Sequence, residues 1–143
     1  MANIVPDSFK TDLLGGVFDF DSSGGSTFKL ALYTDISGFS TSTTAYTTSN
    51  EVSSSGTSYT AGGNTLTNNG VAVASNIAYV DFADLTFSSV TLSAVGALIY
   101  KATSNEVVLV LDFGGTKTAT NGDFVIQFPT ANSSNAIIRL GDA

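Results

Sequence analysis

Two apolar runs, Val95–Tyr100 and Val107–Phe113, flank the polar stretch Ala102-Thr103-Ser104-Asn105, and this spacing predicts a β-hairpin. In the second run Val107, Leu109, Leu111 and Phe113 share one face of a strand, while Val108 and Val110 share the other. A sheet with one face in water alternates apolar with polar residues, whereas this strand is apolar on both sides. Its second face therefore needs a cover, from another sheet of the same chain or from a neighbouring subunit. The strands expected at Ile77–Phe82 and Phe124–Phe128 can supply an internal one, which makes Val107–Phe113 the central strand of a sandwich core.

Met1–Val5 reads as a short apolar arm, able to add a strand or to reach a neighbour. Pro6-Asp7-Ser8 has the chemistry of a helix start, Phe9, Leu13 and Leu14 make a one-sided stripe, and Gly15-Gly16 stops it. One short helix is expected over residues 6–16. Val17–Asp21 alternates and breaks at Ser22–Ser26, and Phe28–Thr34 is a strand with Phe28, Leu30 and Leu32 on one face. Residues 35–63 form a long Ser/Thr/Gly-rich loop region with few apolar anchors: Ile36, Phe39, Tyr46, Val52 and Tyr59. Loops of this length are commonly functional or contact-making.

Short strands then resume. Asn64–Thr67 and Gly70–Ser75 are expected to pair across Asn68-Asn69, followed by Asn76–Ala83, Leu85–Phe87, Thr91–Ser93, the hairpin, Gly122–Phe128 and Asn135–Leu140. Gly114-Gly115 and Asn121-Gly122 read as turns, and Pro129 ends a strand because it cannot donate a ladder hydrogen bond. The fold class is mainly β, an antiparallel β-sandwich or jelly-roll-like barrel with one short N-terminal helix, in a single domain over residues 1–143.

Composition narrows the chemistry. Of 143 residues 43% are hydrophobic and only 12% charged, so Ser, Thr, Asn and Gly must supply the polar surface. There is no His, Cys or Trp. Disulfides, thiolate sites and Ser–His or Cys–His catalysis are thereby excluded from this chain, and transition metals lose their usual ligands. No enzymatic activity, metal or other cofactor is expected. A balance of 5 basic against 12 acidic residues gives −7, and five scattered cations cannot build the basic stripe that nucleic acid or an anionic membrane requires. No apolar run approaches the ~18 residues of a membrane span, and the N-terminus lacks a signal-peptide pattern, so synthesis in a cytoplasm is expected.

Three motifs have chemical overtones. Asp19-x-Asp21-x-Ser23-Gly24 opens like a calcium loop, but Leu30 stands where the bidentate Glu belongs, which favours an acidic turn. Asp81, Asp84 and Asp112 could be drawn together as catalytic carboxylates, although Asp equally caps turns and strand ends. Gly114–Thr118 lacks the earlier glycine and following helix of a phosphate loop. What remains is surface: Ile4 and Val5 of the arm and the loop aromatics Phe39, Tyr46 and Tyr59 are candidate protein contacts, or else they tuck over their own sheet.

The segments MANIVPDSFKTDLL, TFKLALYT, AYTTSNEV, YTAGGNTLTN, AYVDFADLTF, GALIYK, VVLVLDFGG and FVIQFPTANSSNAIIRL resemble a family of small, mostly uncharacterised virion structural proteins of tailed bacteriophages. The most specific pieces are Tyr59-Thr60-Ala61-Gly62-Gly63, Asp81-Phe82-Ala83-Asp84 and Gly96–Tyr100. The resemblance implies location in a virion and a structural role. The first expectation is a capsid decoration (cement) protein, with the major capsid protein and copies of itself as partners. The alternatives are a tail, baseplate or fibre component and, more weakly, a carbohydrate-binding module. Surplus apolar strand surface with few charges predicts a homodimer or homotrimer.

Overall fold

The structure, a computed structural model, describes residues 2–142. Pro6, at φ −64°, leads into helix α1 (Asp7–Leu14), which buries Phe9 and ends at Gly15. Leu13 packs against the core, while Leu14 is 84% exposed, so the apolar stripe is narrower than the sequence suggested. Seven strands follow among the described residues: β1 (Phe28–Tyr33), β2 (Asn64–Thr65), β3 (Asn68–Ala74), β4 (Ile77–Phe82), β5 (Leu85–Lys101), β6 (Val107–Ile126) and β7 (Ile138–Leu140). They form two antiparallel sheets, ordered β2-β1-β5-β6 and β3-β4-β7. The fold is mainly β and two-layered, and it is not a closed barrel.

The hairpin predicted at Val95–Phe113 is present but far longer, with strands of 17 and 20 residues. Only its turn-proximal part, Gly96–Lys101 of β5, pairs with β1. Beyond Gly96 the two strands continue as a ribbon that curls back over the sheet. Four residues, Phe113–Thr116, stand opposite the single Val95 between the pairs Gly96–Asp112 and Ala94–Lys117. Gly114 and Gly115, at φ 73° and 146°, occupy this bulge. A straight strand would hold Phe113 and Phe124 roughly 37 Å apart at about 3.4 Å per residue; their rings are 6.0 Å apart. The ribbon thus brings Phe87, Val90, Phe124 and Ile126 into one core with Leu30, Leu32 and Ile99. A train of phenylalanine rings, Phe9, Phe18, Phe20, Phe28, Phe82 and Phe128, ties helix, sheet and second layer together, with Phe20 and Phe28 stacked at 4.7 Å.

Several sequence expectations change. Gly114-Gly115 is a bulge and not a turn, and Asn121-Gly122 lies within β6. Leu85–Phe87 and Thr91–Ser93 are parts of the single strand β5. Residues 64–65 pair with β1, whereas 68–74 pair with β4, so the two do not form a hairpin across Asn68-Asn69. Val107 also changes face. The pairs Ile99–Leu109 and Tyr100–Val107 leave an extra residue on β6, and a bulge of this kind shifts the alternation. Val107 therefore joins Val110 in a second core, and Val108 joins Leu109 and Leu111 in the first.

The second core answers the doubly apolar strand, which lies in β6 at the edge of its sheet and is not the central strand expected. On the face of the four-stranded sheet away from the main core lie Ala31, Tyr33, Leu98, Tyr100, Val107 and Val110. Among the described residues no sheet covers them. Ile36, Phe39 and Tyr46 of the long loop and Ile4 of the arm do. Gly96 makes this possible: a Cβ there would lie 2.4 Å from the Leu111 carbonyl oxygen and 2.8 Å from Ile36 Cγ2.

Candidate functional site

The arm and the loop form one layer. Ile4 exchanges two backbone hydrogen bonds with Val110, each 2.9 Å, adding a single antiparallel rung to the outer edge of β6. Farther along that edge the Asp112 N–H donates to Asn3 Oδ1 at 2.8 Å. The loop takes the preceding part of the same edge: Tyr46 N–H donates to Asn105 O and Val107 N–H to Thr44 O. The first turn of α1, which follows the arm, is joined to the loop, since Asp7 N–H donates to Thr41 O at 2.8 Å and Ser8 Oγ to Thr43 O at 3.1 Å.

Glu51 locks the loop. Its Oε1 accepts from Tyr59 Oη at 2.7 Å and from Gly62 N–H at 2.6 Å, and its Oε2 accepts from Tyr46 Oη at 2.6 Å. Tyr59 Oη also accepts from Leu32 N–H at 3.0 Å, so the hydroxyl links the loop to β1. Tyr33 donates to Thr47 O and Tyr100 to Gly62 O, while the Tyr46 and Tyr100 rings stack at 4.5 Å. Burial, reinforced by the Glu51 carboxylate, pushes the hydroxyls of Tyr33, Tyr46, Tyr59 and Tyr100 above the ordinary tyrosine range. Gly63, at φ 76°, seats the loop exit so closely that a Cβ would fall 1.8 Å from the Leu30 carbonyl oxygen.

Four of the five candidate contacts thus serve the chain's own fold. Tyr59 is only 2% exposed, Phe39 packs edge-on against Tyr33 at 5.0 Å, and Tyr46 and Ile4 are partly buried in the second core. Val5 alone is exposed. The loop aromatics are anchors that face inward, because the apolar face of β1, β5 and β6 offers them more buried area than water does. What the layer turns outward is hydroxyl-rich: Thr34, Ser37, Ser40, Thr41, Ser42 and Thr44 are exposed, and Asp35 is the one charged residue in that stretch. Local side-chain bonds fix its shape, including Ser37 N–H to Asp35 Oδ1 at 2.8 Å and Ser40 N–H to Thr43 Oγ1 at 2.9 Å. The Ser37 N–H bond holds the Asp35 carboxyl below the usual carboxylate range.

A second feature is an open groove of about 540 Å³ beside the curl of β6. Asn3, Asp112, Lys117, Thr118, Asp123 and Gln127 give it polar groups, and Phe113, Phe128, Pro129 and Ile137 give it apolar walls. Of the three carboxylates, only Asp112 lines the groove. Asp81 accepts from Asn69 Nδ2 at 2.9 Å and Asp84 from Phe128 N–H at 2.8 Å, which are strand-end roles. Asp19 Oδ1 accepts from Asp21 N–H at 3.0 Å, making Asp19–Gly24 an acidic turn. Among the described residues no three His, Cys, Asp or Glu side chains converge to hold a metal ion, and no helix is long and apolar enough to cross a membrane.

Sequence reasoning missed Glu51 and the groove. A lone carboxylate between Tyr46 and Tyr59 was the available signal for the first, whereas the groove depends on a curl that no local pattern encodes. Compared with protein-family models, curated proteins and solved structures, the chain matches none.

Proposed function

We propose that the protein is a virion structural component of a tailed bacteriophage, a decoration protein that binds the outside of the capsid shell and stabilises it. The family resemblance of the sequence suggests the setting. The observation that carries the role is the arm-and-loop layer: a broad outer surface, rich in hydroxyls, poor in charge and fixed by its own hydrogen bonds. Such a surface can meet another protein without a large desolvation cost for charges. Many copies on one shell would sum modest contacts into strong clamping. The major capsid protein is the partner, together with further copies of the chain.

Quantifying the protein in purified virions tests this. A stoichiometry comparable to that of the major capsid protein is expected, together with binding to empty, tailless heads. A handful of copies per particle would overturn it in favour of a tail, baseplate or fibre component. The groove favours a second reading, a carbohydrate-binding module. Its mixture of Asp, Asn, Gln and Thr side chains with Phe and Pro walls suits a neutral polyhydroxylated ligand. A glycan array without signal would exclude that reading.

A further inference from the structure

Strand β3 lies at the edge of its sheet: it pairs with β4 on one side and, among the described residues, with no strand on the other. Edge strands are usually blunted by charge, proline, a bulge or a covering segment, and the one bulge of β3, at Asn69 between the pairs Asn68–Phe82 and Gly70–Asp81, comes before Val71. Asn68-Asn69-Gly70-Val71-Ala72-Val73-Ala74 contains no charged residue and no proline. Its turn to β4 is the pair Ser75-Asn76, at φ 51° and 64°, the two-residue hairpin with both central residues left-handed. In such a hairpin the closing pair, Ala74–Ile77, exchanges its hydrogen bonds. Alternation then makes Val73–Ala78 and Val71–Val80 the pairs without mutual bonds. The N–H and C=O groups of Val71 and Val73 accordingly point away from β4, off the open edge.

The side chains of the same two residues continue an apolar face. Register carries Val73 across Ala78 to Leu140, and Val71 across Val80 to Ile138. Val80 is buried, but Val71, Val73 and Leu140 are 53%, 72% and 58% exposed. Between Leu13, Phe20, Val71, Ala78, Val80 and Leu140 lies an apolar hollow of about 120 Å³.

We propose that two copies of this chain associate through β3, antiparallel about a two-fold axis at Ala72, to form a continuous sheet β7-β4-β3-β3-β4-β7. The edge is self-complementary about that axis. Val71 of one copy falls opposite Val73 of the other, so the outward N–H and C=O groups of both are satisfied reciprocally. The valine side chains of both copies then share one face. Charge selects a second copy over an oppositely charged partner. The chain carries −7, so two copies repel wherever carboxylates meet, yet β3 is uncharged and offers a basic partner nothing to bind. On the β3–β4 hairpin the carboxylate Asp81 is already held by Asn69. This surface goes beyond the virion reading and does not depend on it.

The test is sedimentation of the purified chain over a concentration series, with Val73→Lys, Val73→Pro and Val125→Lys variants. Proline at 73 removes an outward N–H and no bond to β4, and Val125 is a 55% exposed valine on the ribbon, away from the edge. The wild type is expected to dimerise at micromolar concentration. Both Val73 variants should weaken dimerisation by about tenfold or more, roughly 1.4 kcal/mol, while Val125→Lys behaves as wild type. Amide exchange at Val71 and Val73 should slow as concentration rises. A wild type that stays monomeric, a trimer, or a dimer indifferent to Val73→Lys would overturn the proposal. None of these results bears on copy number in virions, so the two readings can fail separately.

Discussion

Glu51 and the tyrosines around it show how a single side chain can order a long segment. The carboxylate accepts three hydrogen bonds from groups on both sides of it in the loop, and Tyr59 passes the connection on to β1. Glu51→Ala strands two tyrosine hydroxyls and the Gly62 N–H, and bonds to a charged acceptor are worth more than neutral ones. A loss of about 2–3 kcal/mol is expected in urea unfolding. The tyrosines also set an alkaline limit. Their folded-state ionisation is raised above the ordinary value of 10.0, so the unfolded chain gives up these protons first. Their contribution is complete below about pH 10 and is lost as pH rises beyond it. Ultraviolet titration should show most tyrosinate appearing in one cooperative step together with unfolding. In Glu51→Gln that step should move to lower pH, because the charge that opposes ionisation is gone. At Gly96 the constraint is space: Gly96→Ala places a methyl against the Leu111 carbonyl and Ile36. A cost of about 1–3 kcal/mol is expected by the same measurement, as for other overpacked sites.

The elements differ in how far local sequence specifies them. Helix α1, strands β1 and β4 and the turn-proximal hairpin were legible because each has a strong period and a clear boundary. The full length of β5 and β6 was not. Gly114, Gly115 and Asn121 have positive φ, which a turn and a bulge can equally require, and only the partner strand decides between them. One extra residue opposite Tyr100 likewise moved Val107 to the other face, which no alternation pattern could reveal. The cover over the second face was half legible: the loop aromatics marked an anchored segment, but not whether the anchors faced inward. The arm is now an element of the fold. Removing residues 1–5 deletes both bonds to Val110 and the packing of Ile4. About 2–4 kcal/mol should be lost, at roughly 1 kcal/mol per hydrogen bond plus partial burial of one isoleucine. Faster amide exchange at Val110 would locate the loss, and an unchanged melting temperature would show that the arm contributes no stability.

At the scale of the whole molecule, two features pull against each other. The chain places apolar surface on both sides of its larger sheet and leaves an apolar edge on the smaller one. It carries 12 acidic residues against 5 basic ones, with little to neutralise them. Lys10 pairs with Asp7 at 2.8 Å on the exposed helix surface, Lys101 donates to the Val17 carbonyl and Arg139 to that of Ser133. Most of the negative charge therefore acts as a diffuse field that keeps copies apart, while β3 attracts through uncharged groups. These terms respond differently to conditions. Screening shortens the reach of the field from about 20 Å at low salt to below 10 Å at physiological salt, and backbone pairing at an uncharged edge is hardly affected. Dimerisation should therefore strengthen by several-fold between about 20 mM and about 300 mM sodium chloride. It should strengthen again as pH falls toward the isoelectric point near 4.1 and carboxylates protonate. Sedimentation equilibrium across both series measures this. A dimer that weakens with salt must be held by ion pairs, and would place the interface away from β3.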